Sequence, residues 1–182
     1  PRPDNQMLVI FGASGDLTKR KLLPSLFELF IRDFLPSHFV ILGAARSDFS
    51  DESFRAEQKK NLLSFRKGKE TDKQQLDRFL ELVHYLRFDS DKVEQYHLLK
   101  EKIEELRREL DIPDQIVFYL ATPPVQYGFT AGALRKNGLN KAGEPGGWRR
   151  IVVEKPFGRD LQSAQKLNKL LQSIFHENEI YR

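Results

Sequence analysis

The sequence predicts a doubly wound α/β domain: a Rossmann-like, mainly parallel sheet with helices on both faces. Three observations lead there. Short apolar runs such as "MLVIF" and "QIVFYL" alternate with longer amphipathic segments. The first of these runs passes directly into a glycine loop, "GASGDLTKRK". A helix-length segment then leads to a second apolar run, "HFVILGAAR", so strand, loop, helix and strand make a βαβ unit with a right-handed crossover.

Each element follows from its pattern. Met7 to Phe11 is a continuous apolar run, as a strand buried on both faces requires. Leu17, Leu22, Leu23, Leu26, Phe27, Phe30 and Ile31 recur at helical spacing and predict a helix reaching Phe34. The second strand is expected at Phe39 to Ala44. Between Asp51 and Leu82, apolar residues at Phe54, Leu62, Leu63, Phe65, Leu76, Phe79 and Leu80 are interrupted by "RKGKETDK", which predicts two helices around a loop. Val83 to Asp89 reads as the third strand and Val93 to Leu110 as an amphipathic helix. Gln115 to Pro124 carries the fourth strand, ended by two prolines that cannot continue a ladder. A helix is expected from Val125 to Asn137 with Gly138 as its C-terminal cap. The loop "NKAGEPGGW" then precedes a fifth strand, Arg150 to Glu154, and a last helix, Leu161 to Phe175, with Asp160 as N-cap. The final "EIYR" starts like a sixth strand, and a sheet element interrupted there predicts a fragment of a longer protein, with a frayed natural terminus as the alternative.

Composition narrows the function. With 182 residues, 40% of them hydrophobic, one core is expected, and residues 1–182 are read as one nucleotide-binding domain. No apolar run approaches the ~20 residues that span a bilayer, so no membrane partner is expected. Without cysteine there is neither a disulfide framework nor a thiolate metal site, no metal is expected, and a reducing, cytoplasmic setting is the default. The net charge of +4 comes from basic residues mixed with acidic ones, as in "EKIEELRREL", which argues against a nucleic-acid stripe.

In such a sheet ligands bind at the carboxyl ends of the strands, where four segments carry candidates. In the first, Gly12 and Gly15 form G-x-x-G with Thr18 where a third glycine would stand. Small residues let backbone N–H groups approach an anion, and the following helix adds its positive end. Ser14 offers a hydroxyl and Asp16 a carboxylate that caps N–H groups. An ordinary strand-to-helix turn is the competing reading. The second segment, "GAARS", puts Arg46 and Ser47 where NAD-binding sheets place an acidic residue, and an arginine there suits a 2′-phosphate, so NADP is favoured. The alternative is a surface arginine paired with Asp48 or Asp51. The third, "LATPPVQY", stiffens the crevice mouth with two prolines and brings Tyr127 either to the cofactor or into the sheet packing. The fourth, "VVEKPFG", sets Lys155 on a rigid turn as a compact cationic donor.

Together, "GASGDLTKRK", "ARS", "LATPP" with its following tyrosine, and "RIVVEKPFGRDL" resemble the glucose-6-phosphate dehydrogenase family, in order and spacing, from the first strand to Arg182. That resemblance implies the coenzyme domain of an enzyme oxidising glucose 6-phosphate with NADP to 6-phosphogluconolactone and NADPH, the opening of the oxidative pentose phosphate pathway. It implies that Gly12, Ala13, Ser14, Gly15, Asp16, Leu17, Thr18 and Lys19 form the coenzyme-phosphate loop and that Arg46 meets the 2′-phosphate. Tyr127 would lie beside the nicotinamide, and Lys155 would touch both coenzyme and substrate, with Pro156 associated with moving that lysine into place. In the family "IYR" runs into an isoleucine-aspartate-histidine segment, and a later histidine serves as general base. Neither lies within this sequence, nor does the α+β domain that completes the sugar site and forms a homodimer or homotetramer. His38, His84, His97 and His176 match no such motif, so no catalytic residue is assigned and no turnover is expected of these 182 residues alone. A non-catalytic NADP-sensing module is the alternative. A P-loop phosphotransferase is set aside because G-K-[ST] is missing at the required spacing.

Overall fold

A computed structural model describes residues 2–66, 68 and 70–182. Lys67 and Lys69, in the loop expected between the second and third helices, lie outside the described residues, as does Pro1. Six strands form one parallel sheet: β1 (Gln6–Phe11), β2 (Phe39–Ala45), β3 (Val83–Arg87), β4 (Gln115–Leu120), β5 (Trp148–Val153) and β6 (Ile180–Tyr181). Their spatial order is β3-β2-β1-β4-β5-β6, so the chain winds outward in one direction from β1 and then in the other from β4. The reversal between β1 and β4 opens a crevice at their carboxyl ends.

Strand periodicity divides the core into two layers. Ile10, Ile41, Val83 and Tyr85 point to the face covered by α1 (Leu23–Ile31), α2 (Asp51–Phe65) and α3 (Lys73–Glu81), whose Phe27, Phe54 and Phe79 fill that layer. Met7, Val9, Phe11, Val40 and Leu42 point to the opposite face, against α4 (Tyr96–Leu110), α5 (Tyr127–Lys136) and α6 (Leu161–Ile174). β2 is buried at every position, as its unbroken apolar run requires. β4 and β5 alternate between buried and half-buried positions, because only one side of that half carries helices. On the barer side Arg150 lies over the Trp148 ring, 3.9 Å from its centroid.

Several boundaries differ from expectation for local reasons. The first predicted helix is divided: a π-helical turn, Thr18–Leu22, precedes α1, and the Leu23 N–H reaches the Thr18 carbonyl. α1 ends early because Asp33 takes a left-handed conformation (φ 61°) and the Phe34 N–H closes back on the Leu29 carbonyl. β3 stops at Arg87, since Phe88 turns inward to pack 5.9 Å from Phe11 and 4.9 Å from Tyr96. β5 begins two residues before the predicted Arg150, where the buried Arg149 guanidinium donates to the Asp114 carboxylate at 2.6 Å.

The predicted caps are present. Gly138 has φ 69°, with Leu139 N–H on the Leu134 carbonyl and Gly138 N–H on the Arg135 carbonyl. Asp160 accepts from Ser163 N–H at 2.8 Å at the start of α6.

Candidate functional site

β1 ends in Gly12, whose φ of 79° suits glycine, and a Cβ there would lie 2.6 Å from the Ala121 carbonyl oxygen at the end of β4. The loop therefore crosses directly over the neighbouring strand. Gly12 and Ala13 donate their N–H groups to the Ala44 carbonyl at 3.0 and 3.3 Å, which ties the loop to β2. Gly15 N–H closes on the Gly12 carbonyl at 3.0 Å, and the Thr18 hydroxyl donates to the same carbonyl at 3.3 Å. Thr18 is buried and stitches the loop together where a third glycine was absent from the motif. Lys19 N–H bonds the Gly15 carbonyl, so Asp16, Leu17 and Thr18 carry the first-turn N–H groups that a helix cannot satisfy itself. These donors and the positive helix end stand directly after β1, at the carboxyl end of the sheet, an arrangement suited to an anion. Asp16 pairs with Arg20 at 3.6 Å.

The end of β2 completes one side. The Ser47 hydroxyl donates to the Ser14 hydroxyl at 3.0 Å and joins the two loops. Arg46 is exposed, and the two acids that might have engaged it are taken: Asp48 pairs with Arg87 at 3.6 Å, and Asp51 pairs with His84 at 3.1 Å and Arg55 at 4.0 Å. Among the described residues Arg46 has no ion-pair partner. Sequence inspection missed Gly43, where a Cβ would stand 2.8 Å from the Ala13 Cβ. That glycine lets Ala13 sit down on β2.

The ends of β4 and β5 supply the other side. The Thr122 hydroxyl oxygen is buried without a partner among the described residues, beside Gly12. Lys155 is exposed and, among the described residues, makes no side-chain hydrogen bond or ion pair; the peptide that follows it, to Pro156, is cis. Next to it, a groove of about 600 Å³ runs between Pro123, Pro124 and Gly128 on one wall and Pro156, Phe157 and Lys166 on the other. Tyr127 is placed differently from a ring packed on a ligand: it is 1% exposed, within the helix-covered layer, and its hydroxyl donates to the Glu154 carbonyl at 3.3 Å. That hydrogen bond ties Tyr127 to the backbone just before Lys155.

Residues 9–182 match the family model described as "Glucose-6-phosphate dehydrogenase, NAD binding domain". The chain belongs to the glucose-6-phosphate dehydrogenase family. It is similar to the glucose-6-phosphate 1-dehydrogenases of Treponema pallidum, with 42% identity over 97% of this chain and 34% of the relative, and of Bacillus subtilis, with 38% identity over 97% and 34%. A solved glucose-6-phosphate dehydrogenase in complex with its substrate glucose-6-phosphate superposes with a TM-score of 0.83, at 37% identity, over 100% of this chain and 36% of that one. The Mycobacterium avium glucose-6-phosphate 1-dehydrogenase superposes at 0.79 with 30% identity, over 97% and 35%. The chain thus spans about a third of the length of the curated relatives it matches.

Within this glucose-6-phosphate dehydrogenase domain, the match to a family NAD-binding domain agrees with a nicotinamide dinucleotide as the cofactor class. The geometry fits such a group in three respects, among the described residues: a glycine where the loop after β1 passes too close to the Ala121 carbonyl for a Cβ, an arginine without an ion-pair partner at the end of β2, and an orphaned hydroxyl at Thr122. The histidines lie elsewhere. His38 donates its N–H to Asn5 ahead of β2, His84 is held by Asp51, and His97 and His176 belong to α4 and to the segment after α6. Among the described residues no cluster of metal-ligating side chains occurs, and no helix is long and apolar enough to cross a membrane.

Proposed function

We propose that this chain is the coenzyme-binding part of an enzyme that oxidises glucose 6-phosphate with NADP to 6-phosphogluconolactone and NADPH. The observation that carries the cofactor choice is Arg46. It stands at the end of β2 with no acidic partner among the described residues, and an unpaired guanidinium there suits a 2′-phosphate, whereas an acidic residue would suit a free ribose hydroxyl. Gly12 to Lys19 would hold the pyrophosphate through the first-turn N–H groups, and Ser14 and Ser47 would border the adenosine side.

Lys155 is the residue of this chain placed to meet the sugar substrate, as a compact cation on a turn that carries proline and glycine on its far side. Bound NADP would supply the hydride acceptor for the C1 hydrogen of the sugar. The accompanying proton must leave the C1 hydroxyl to a base, and none of the four histidines here stands at the crevice. The base and the rest of the sugar site would come from a part corresponding to the two thirds of the relatives' length that this chain does not span, where homo-oligomer contacts would also form. A cytoplasmic setting accords with two Arabidopsis thaliana relatives named as cytoplasmic.

Calorimetric titration of NADP and NAD tests the cofactor assignment. NADP is expected to bind more tightly, and Arg46→Ala to remove about 2 kcal/mol of that advantage, roughly thirtyfold, with little effect on NAD. Equal affinities in both proteins would overturn it.

A further inference from the structure

Lys155 follows a residue of opposite charge, Glu154, yet the two do not pair. The reason lies in β4. Tyr119 and Val152 are register partners in the parallel ladder, so Tyr119 and Glu154 rise on the same, barer side of the sheet. There the Tyr119 hydroxyl donates to the Glu154 carboxylate. On the other side the buried Tyr127 donates to the Glu154 carbonyl at 3.3 Å. Two tyrosines from two layers therefore fix the side chain and the backbone of the residue immediately before Lys155. Burial, and then the hydrogen bond and charge of Glu154, push the Tyr119 phenol above its ordinary value. Tyr119 accordingly remains a neutral donor at physiological pH.

We propose that Tyr119 is a positioning residue for Lys155: by holding the Glu154 carboxylate it keeps that charge from the neighbouring ammonium and leaves Lys155 free for the anionic group of a ligand. The identity of that ligand as a sugar phosphate rests on the function proposed above. The clamp itself rests on the Tyr119, Glu154 and Tyr127 geometry alone.

The full-length protein containing this domain is the test material. In Tyr119→Phe the released carboxylate is expected within about 4 Å of the Lys155 Nζ in a crystal structure, the separation of an ion pair. The KM for glucose 6-phosphate should rise about threefold to fivefold, the worth of one partly exposed ion pair, with a smaller change in kcat. Adding Glu154→Gln, which removes the competing charge, should return KM to within about twofold of the parent, whereas general damage to the sheet would not be rescued. Should Tyr119→Phe fold poorly, Glu154→Asp approaches the pair from the other side. Its shorter side chain loses the phenol, and the same rise in KM is expected. An unmoved carboxylate, an unchanged KM in whichever variant folds, or a double variant as impaired as the single one would overturn the proposal. A parent protein that does not oxidise glucose 6-phosphate would instead sink the function reading, and the carboxylate's position in the variant would still decide the clamp.

Discussion

The Ser47 hydroxyl donates to the Ser14 hydroxyl across 3.0 Å, linking the loop after β1 to the end of β2. In the proposed function the two loops it joins would hold different phosphates of one dinucleotide, so the bond would help to fix the distance between them. Ser47→Ala is expected to weaken NADP binding about fivefold, equivalent to ~1 kcal/mol for one hydrogen bond, and to leave thermal stability nearly unchanged because both hydroxyls are exposed. Calorimetry beside a melting curve checks both halves.

Gly12 makes a harsher demand. Its positive φ and the 2.6 Å approach of a built Cβ to the Ala121 carbonyl oxygen leave no room for alanine without moving β4 away from the loop. Gly12→Ala should cost about 3 kcal/mol in urea unfolding and abolish detectable NADP binding. Wild-type affinity in that variant would contradict the placement of the loop.

A buried cluster at the opposite end of the sheet sets stability. Asp114 accepts from Arg149 at 2.6 Å and from the N–H groups of Gly143 and Glu144 at 2.7 and 3.1 Å, with Arg107 at 3.5 Å. Both guanidiniums and the carboxylate are buried. Replacing Asp114 by alanine strands the buried Arg149 cation and frees the 143–144 turn, while Arg107 keeps Glu104 and Glu144 at 2.9 Å, so a loss of about 3 kcal/mol is expected in denaturant unfolding.

Acid should act through the same group and through Asp51. Burial alone would raise the Asp114 carboxyl, but the hydrogen bond and charge of Arg149 and the two backbone N–H groups outweigh it and leave the group below its ordinary value. Asp51 is likewise pushed up by burial and brought down further by His84 and the Tyr85 N–H. A carboxyl whose folded-state value is lowered stabilises the protein above its unfolded value and loses that contribution as the pH falls through the folded one. Melting temperature should therefore fall on acidification below about pH 4, and Asp114→Asn should flatten that decline.

As for turnover, the purified 182-residue chain is expected to produce no NADPH from glucose 6-phosphate and NADP in an absorbance assay, since none of its four histidines stands at the crevice. Substantial activity would mean that a group in this chain removes the C1 proton.

The succession of strands and helices along the chain and the glycine loop were legible in the sequence because both rest on local pattern: apolar runs mark β1 and β2, and small residues with a helix behind them mark the loop. What escaped depends on pairs distant in sequence. Gly43 looked like a neutral strand residue until Ala13, thirty residues earlier in the chain, was found resting on it. Trp148 reads as the end of the loop and Arg149 falls outside the expected strand because a charged residue gives no strand signal, and its burial is explained by Asp114 and the Leu139 carbonyl. Tyr119 lay inside an unremarkable apolar run, and its register against β5 gives it a partner in Glu154.

The π-helical turn at Thr18–Leu22 has a consequence for how this domain tolerates change. Such a turn holds one residue more than an α-helical one, which offsets the two flanking stretches by about 100° around their common axis. The amide donors ahead of it and the Leu23 and Phe27 stripe behind it are therefore phased separately, one aimed at the crevice and the other at the sheet. Deleting a single residue from Lys19 to Lys21 would force both onto one continuous spiral, so either the amide donors at the helix start or the packing of α1 would have to turn away.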